Sequence, residues 1–583
     1  MGFFFNAARG ASPSKPRAAK KHIPVQTMRE MGCKACPFDH AKLVTPKMRP
    51  SGTTRPSLYV LGEAPGEEED TKGEPFVGKS GRLLRSCFDR DFLEDHVRIG
   101  NTIRCRPPEN RTPETPEIEC CRDQVAQDIA DTQPLVVVGA GGIPLTWATG
   151  LTNITAWRGR TIVAKIGGHV CWYFPILHPS YVLRKQSKYG KSEHELVFEH
   201  DLHWIQKNYR RLPEPHFYEA SYDTGVTLIE GDGQRDLNKL EDILNRLRDA
   251  PSVGVDIETS CLRPYAANAA IYMCSIGTFE DTVAFPVNDP RAWNSSLRRK
   301  VEGLLVEFIL ESRKKVAHHL GFELEWFMYF YGNRIANLTE WEDTMAQAHT
   351  IDERIGVLGL GDLTSQYFGF DLKAQSDVDP KRLLEYPIRD GLRYNGMDAK
   401  WTQLLYDVQQ PIVCTEPELV NEYERKIRLA PALVLTQQKG IGVDKDYARS
   451  LQEEMAVEIK GIEAQVMACA EVKKYKQKYG EFLPSSPDHV AKMMDVICDR
   501  KEVRKEGGGT TSDEGALSKI PAKEVPSAPL ILELRTISKL QSTYIDPVVS
   551  GRIIYPDGLI HTKFGSMVAI TGRLNSEDPN VQN

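Results

Sequence analysis

A chain of 583 residues exceeds what one hydrophobic core organises, so roughly three to five domains are expected. With 41% hydrophobic and 26% charged residues it has the composition of ordinary globular protein, and a formal net charge of −6 neither demands nor forbids a nucleic-acid partner. It has no run of about 18 apolar residues, which excludes a hydrophobic membrane-spanning helix.

Taken in chain order, residues 1–22, "MGFFFNAARGASPSKPRAAKKH", lack the apolar centre of a secretion signal and read as a flexible basic tail. "SLYVLG" (57–62) and "PLVVVG" (134–139) read as buried strands leading into glycine-rich turns, and "CWYFPILHPS" ends near His178. Strands alternating with helical segments predict an α/β domain over 23–210. The proline- and aromatic-containing stretch "RRLPEPHFYEAS" predicts a linker over 211–224. A second α/β domain is predicted for 225–412, built on "VGVDIET", "IYMCSIGT" and "TVAFPV". From 413 to 583 the pattern is mainly helical, with "KEGGGTTSDEG" as a polar loop and strands and turns at the end. The fold class expected is therefore multidomain α/β.

The twelve cysteines suit a reducing compartment and a metal site better than a disulfide framework. "CKAC" supplies Cys33 and Cys36, and "CRPPENRTPETPEIECC" supplies Cys105, Cys120 and Cys121. Thiolates from two loops can close around one centre; structural zinc and buried free thiols are the alternatives. The intervening blocks, "GEAPGEEEDTKGEPFVGKSGRLL", "NTIRCRPPENRTP" and "LHPSYVLR", resemble family 4 uracil-DNA glycosylases over about 30–205. The resemblance implies a three-layer αβα fold and a structural [4Fe–4S] cluster on Cys33, Cys36, Cys105 and Cys121. It also implies a base swung out of the duplex into a pocket, for excision of uracil or only for its detection by a domain that binds DNA without cutting. Phe76 would stack on that base, Asn101 would bond its edge, and the backbone at Glu63 and Ala64 would line the pocket. His178 would stabilise the charge on departing uracil. Glu69 would support the sugar cation or place water. Ala64 stands where the best-known uracil glycosylases carry an aspartate base, which leaves water activation open.

"SVGVDIETS" (252–260) ends an apolar strand in Asp256 and Glu258, and residues i and i+2 of a strand share a face. Two adjacent carboxylates repel unless they share a cation. Glu323 lies downstream in an apolar helical setting, and Tyr394 stands four residues before Asp398, on one helix face. These blocks resemble the tyrosine subclass of DEDD-type 3′–5′ exonucleases, which implies a ribonuclease H-like domain and two Mg²⁺ or Mn²⁺ ions about 4 Å apart. Asp256, Glu258 and Asp398 would hold the tighter ion, Glu323 would reach the second through water, and Tyr394 would orient the attacking water. Glu323 stands where that family has aspartate, and His319 where it has asparagine. Asp343 is read as a structural support at the rim.

"LTQQKGIGVD", "TTSDEGAL", "LRTISKLQSTYIDPVV" and "GLIHTKFGSMVAITGRLNSEDPNVQN" resemble the thumb and early palm of family A DNA polymerases. The resemblance places Lys539, Ser542, Thr543 and Tyr544 on duplex backbone, and Arg573, Asn580, Gln582 and Asn583 along the primer–template path. The catalytic carboxylates and fingers of that family are not among these residues, so a further segment or a second polypeptide is expected to supply them. The domain order resembles phage replicative polymerases, with DNA as partner: primer–template, a single-stranded 3′ end and uracil-containing strands. Location in the cytoplasm, of a bacterial host for a phage protein, follows from that resemblance. The alternative is a non-catalytic DNA-binding and assembly subunit.

Overall fold

A computed structural model describes the chain except residues 1–23, 40–42, 188–189, 219–223, 312–313, 339, 355, 506–508, 570–571 and 583. The expected tail over 1–22 and Asn583 therefore lie outside the described residues. The chain forms two compact units: Met1–Thr224 with Arg354–Asp377, and Gly225–Glu353 with Val378–Asn583.

The first unit is built on β1 (Ser51–Gly52), β2 (Leu58–Gly62), β3 (Val97–Asn101), β4 (Val136–Ala140), β5 (Ile162–Ile166) and β6 (His169–Ile176), in the order β1-β3-β2-β4-β6-β5. The four central strands are parallel, and the edges β1 and β5 are antiparallel. Period-two alternation explains the apolar runs. Leu58 and Val60 enter one core with Val138 and Phe174, while Tyr59 and Leu61 enter another with Val137 and Tyr173. Helix α1 (Glu67–Lys72) follows β2. Helices α2 (Lys79–Ser86), α4 (Pro179–Arg184) and α5 (Glu193–Asn208) cover the first face with Leu84, Val182 and Leu202. Helix α3 (Thr115–Thr132) covers the second with Val125 and Ile129. This is the expected three-layer αβα arrangement. The carboxyl ends of the parallel strands share one edge, where the loops carrying Glu63, Cys105 and His178 begin.

Two stretches depart from the expected boundaries. Residues 354–377, predicted inside the second α/β domain, pack in the first unit. The stretch predicted as a linker is partly bound: Trp172 Nε1 donates to the Pro213 carbonyl at 2.7 Å and the Tyr218 amide to the Phe368 carbonyl at 3.1 Å.

The second unit holds β7 (Val226–Leu228), β8 (Ser252–Thr259), β9 (Ile271–Gly277), β10 (Thr282–Pro286), β11 (Lys314–Ala317) and β12 (Glu340–Asp343), in the order β12-β11-β8-β9-β10-β7. Strand β9 is antiparallel to β8 and β10, and the other pairs are parallel. Val253, Val255 and Ile257 of β8 join a core with α6 (Gln234–Leu247), α7 (Ser295–Glu311) and α8 (Gly321–Tyr331). Helix α9 (Thr344–Ile351) follows β12. Gly254, Asp256 and Glu258 therefore face the other way, toward α10 (Ile388–Val413). A Cβ on Gly254 would collide with the Ala399 carbonyl oxygen, so glycine here lets the helix backbone lie against the strand. The same unit continues through α11 (Pro417–Lys439), α12 (Lys445–Ala468) and α13 (Ser527–Leu540). Helices α12 and α13 enclose a separate core of Ile462, Val466, Ile531 and Leu534. Two small ribbons, β13 (Ile441–Gly442) with β14 (Leu559–Ile560) and β15 (Lys563–Gly565) with β16 (Asn575–Glu577), complete it.

Substituting Gly254→Ala must part α10 from β8. A loss of about 1–3 kcal/mol is expected, the ordinary cost of overpacking a dense core. Chemical denaturation monitored by circular dichroism measures it; a variant as stable as the parent would mean that the helix does not lie on Gly254.

Candidate active sites and DNA-contact surface

In the first unit a cavity of about 520 Å³ opens at the carboxyl edge of the sheet. Glu63, Ala64, Glu69, Phe76 and His178 line it, together with Arg111, Ser180 and Arg184. Of the five cavity-lining residues expected from sequence, Glu63 and Ala64 come from the turn after β2, Glu69 from α1, Phe76 from the loop between α1 and α2, and His178 from just past the end of β6. Asn101 ends β3 just behind: a Cβ on Gly62 would collide with both its Oδ1 and the Phe76 ring, so these two groups meet over Gly62. Asn101 is buried, and its Oδ1 has no hydrogen-bond partner. An orphaned buried acceptor costs free energy that an incoming donor would recover.

Phe76 is buried with φ of 56°, a left-handed conformation that is strained for an aromatic residue. Glu69 holds it there. Its carboxylate accepts from the backbone amides of Gly66, Gly78 and Phe76, while burial raises its pKa. The acidic run "EEED" thus contributes one side chain that fastens the loop carrying Phe76.

His178 Nδ1 accepts from the Ser180 amide at 3.2 Å and lies 2.6 Å from Ser180 Oγ. Because Nδ1 accepts, the proton of the neutral ring sits on Nε2. Burial, with the nearby Arg184 guanidinium, pushes the His178 pKa down to about 4. At neutral pH the imidazole is thus an uncharged N–H donor. Ser180 and Arg184 set this state and were not singled out from sequence; their only signal was adjacency to His178.

The cysteines converge behind this cavity. Cys105 and Cys121 are packed with Phe38 and Ile103, with Cys36 and Ala64 against them. The Lys47 amide donates to Cys105 Sγ at 3.3 Å and Gln124 Nε2 to Cys33 Sγ at 3.4 Å. Burial pushes Cys36 up to about 11 and Cys121 up to about 12, and neighbouring thiols add to both. Cys120 is buried beside Cys33 and Cys36 as well, so the structure brings five thiols together where four were expected. Clustered sulfurs receiving N–H donors fit a centre that binds thiolates.

In the second unit Asp256, Glu258 and Asp398 offer oxygen atoms that all lie within 4.8 Å of one another. Strand β8 supplies the first two and α10 the third. Asn395 Nδ2 donates to Asp256 Oδ2 at 2.6 Å, fixing that carboxylate from the helix. Sequence reasoning missed Asn395, although it stands one residue after Tyr394, which lies half-buried on the same helix. Glu323, near the start of α8, is buried with Oε2 unpartnered. Burial raises its pKa well above the carboxylate range, and Asp256, Asp343 and Glu258 push the same way. All four expected carboxylates thus share one electrostatic field. Asp343 caps α9, accepting from Met345 at 2.9 Å and Ala346 at 3.3 Å, and it accepts from His319 and Leu320 at 3.1 Å each. It fastens the turn that starts α8. His319 itself has φ of 76°, and burial beside Lys563 lowers its pKa to about 4.

Lys539, Ser542 and Thr543 are exposed and Tyr544 is half-buried where α13 passes into a π-helical turn, Gln541–Ile545. Arg573 is exposed. Asn580 Oδ1 accepts from Ser576 Oγ at 3.1 Å and the Gln582 amide at 2.9 Å, and Gln582 Nε2 donates to the Leu574 carbonyl at 3.2 Å.

Profiles of three families match the chain: Uracil DNA glycosylase superfamily over residues 50–203, 3'-5' exonuclease over 234–413 and DNA polymerase family A over 445–583. The type-4 uracil-DNA glycosylase of Thermotoga maritima is 35% identical over 158 residues, which are 27% of this chain and 80% of that protein. That of Archaeoglobus fulgidus is 33% identical over 159 residues, 26% of this chain and 79% of that protein. The chain belongs to the type-4 uracil-DNA glycosylase family. DNA polymerase I of Chloroflexus aurantiacus is 28% identical over 370 residues, 60% of this chain and 37% of that protein. The chain thus spans 33–37% of the length of two of its DNA polymerase I relatives. Among the described residues no helix is long and apolar enough to cross a membrane.

The depressed His178 pKa carries a stability consequence. The unfolded ring takes its proton near pH 6.5, the folded one near pH 4, so the contribution is complete above about 6.5 and is lost as pH falls toward 4. Over that window the parent should lose as much as about 3 kcal/mol more than His178→Asn. Denaturant unfolding at a series of pH values tests this; parallel profiles would mean that the ring titrates normally.

Proposed function

We propose that this chain is a DNA-processing polypeptide that removes nucleotides from 3′ ends in its second unit and recognises and excises uracil in its first. The observation carrying the nuclease reading is the meeting of Asp256, Glu258 and Asp398 within 4.8 Å. Carboxylate oxygens at that spacing suit hard divalent cations such as Mg²⁺ or Mn²⁺. Bound there, two such ions would supply a hydroxide nucleophile and neutralise the departing 3′-oxygen. The chain's own groups prepare this. Asn395 keeps the Asp256 carboxylate turned toward Glu258, Tyr394 stands one helical turn from Asp398 to orient water, and the buried Glu323 adds a second acidic wall.

For uracil, the reading rests on the uncharged His178. Its Nε2–H would donate to the carbonyl oxygen that gains charge as the glycosidic bond breaks, with no proton lost in the ground state. Phe76 would stack on the flipped base, and the orphaned Asn101 Oδ1 would accept from the uracil ring N–H. Glu69 acts by positioning Phe76, and the Glu63–Ala64 backbone lines the wall.

Cys33, Cys36, Cys105 and Cys121 would hold a [4Fe–4S] cluster that pins the surrounding loops. Residues 413–583 would grip primer–template DNA through Lys539, Ser542, Thr543, Tyr544, Arg573, Asn580 and Gln582. Nucleotide addition is not assigned to these residues; a segment carrying fingers and catalytic palm would supply it.

The test is to incubate the purified chain with uracil-containing single and double strands, with and without Mg²⁺, and to resolve abasic from 3′-shortened products. Asp256→Ala with Glu258→Ala should abolish the Mg²⁺-dependent shortening and leave uracil release intact. His178→Ala should slow uracil release about 100- to 1000-fold and leave shortening intact. A chain giving neither product would be a DNA-binding or assembly subunit. Separately, anaerobically purified protein should be brown, absorb near 400 nm, and lose that band in Cys105→Ser. A colourless, zinc-loaded protein would reject the cluster.

A further inference from the structure

Residues 354–377 lie inside the span matched by the exonuclease profile, 234–413, yet they pack in the first unit. The packing is that of a core. Val357 is fully buried in one cluster with Leu145, Trp157 and Ile162, against Ile154 and Ala156. The helix Leu360–Phe368 lies on edge strand β5 and buries Leu360, Leu363 and Phe368. Gly369 has no side chain because one would collide with the Phe217 ring, and the Tyr218 amide donates to the Phe368 carbonyl.

Polar groups close the other end. Arg160 Nη2 donates to the Arg354 carbonyl at 3.0 Å, and Arg354 Nη1 donates to the Arg158 carbonyl. The Arg158 guanidinium donates to both oxygens of buried Asp201, at 2.9 Å each. The Gly159 amide donates at 2.7 Å to the carbonyl of Pro175, three residues before His178. The contacts thus run without a break from Arg354 to the strand end that carries the neutral histidine.

We propose that residues 354–377 are a built-in strap: a segment from within the exonuclease sequence that completes the glycosylase-type unit and braces the β5–β6 edge leading to His178. The occupant of this surface is the chain itself. The chain passes between the two units three times, and cutting it at residue 224 would leave the Val357 slot open to water. On the proposed uracil reading, sequence from within the exonuclease span thus supports the edge of the sheet that leads to the pocket.

Protease sites placed between residues 224 and 225, 353 and 354, and 377 and 378 of the full chain test this. After cleavage of the folded protein and gel filtration without denaturant, the 354–377 peptide should travel with the 1–224 fragment. A peptide that elutes free, or with the remaining fragments, would overturn the proposal. In the uncleaved chain, Val357→Asp places an unpaired charge in the core. It should speed amide exchange at least about tenfold in Ile162–Ile166 and His169–Ile176. Faster exchange confined to 354–377 would show the strap to be a passive appendage.

Discussion

Three carboxylates held within 4.8 Å of one another, two of them buried, are the constraint on which the second unit turns. At an effective dielectric near 20, each ionised pair at that separation repels by roughly 3 kcal/mol. A fold that pays such a cost without a partner would be expected to lose it by drift. This one enforces it twice over: strand alternation points Asp256 and Glu258 to one face, and Gly254 lets the backbone of α10 come close enough to add Asp398. On the proposed reading the repulsion is stored affinity for cations. Glu323 extends the same field deeper into the wall, and its carboxyl resists ionisation first because it is buried and then because Asp256 and its neighbours repel a further charge.

The first unit uses the opposite device. There the functional side chains are kept uncharged or fastened. His178 is neutral because burial, with the Arg184 guanidinium nearby, opposes its proton, while the Ser180 amide holds the Nδ1 lone pair. Glu69 is clasped by amides, and its effect reaches the cavity through the backbone of Phe76. A leaving uracil develops negative charge late, so a preorganised neutral donor gains most at the transition state, where the gain accelerates the reaction. Phosphodiester hydrolysis begins from an anion and a nucleophile that must be ionised, so cations are needed from the outset. On the proposed reading one chain carries both solutions, and the chemistry of each bond explains the difference.

Much of this was legible in the sequence, for physical reasons. Asp256 and Glu258 stood out because a strand's period of two makes i and i+2 neighbours, and Tyr394 and Asp398 because a helix turn makes i and i+4 neighbours. The αβα layers followed from apolar runs such as "SLYVLG", long enough to be buried on both faces. Asn395, Ser180 and Arg184 escaped because their roles come from orientation toward one atom, which no spacing records. The doubled cysteine was apportioned to Cys121 by its resemblance, and the structure brings Cys120 beside Cys33 and Cys36 as well, since consecutive helix positions both reach the same loop. The strap was invisible for a deeper reason: "VLGLGDLTSQYFGF" is an ordinary amphipathic helix with its entry turn, and which core it enters is decided by a competition between surfaces far apart in sequence.

Divalent-ion binding by the folded chain tests the central claim most directly, since it asks about the carboxylates without asking for turnover. Electron paramagnetic resonance of Mn²⁺ titrated into the protein counts bound ions as the free signal is lost. The account predicts saturable binding that weakens more than about tenfold in Asp398→Asn. Binding left unchanged by that substitution, or no binding at all by a folded chain, would contradict it.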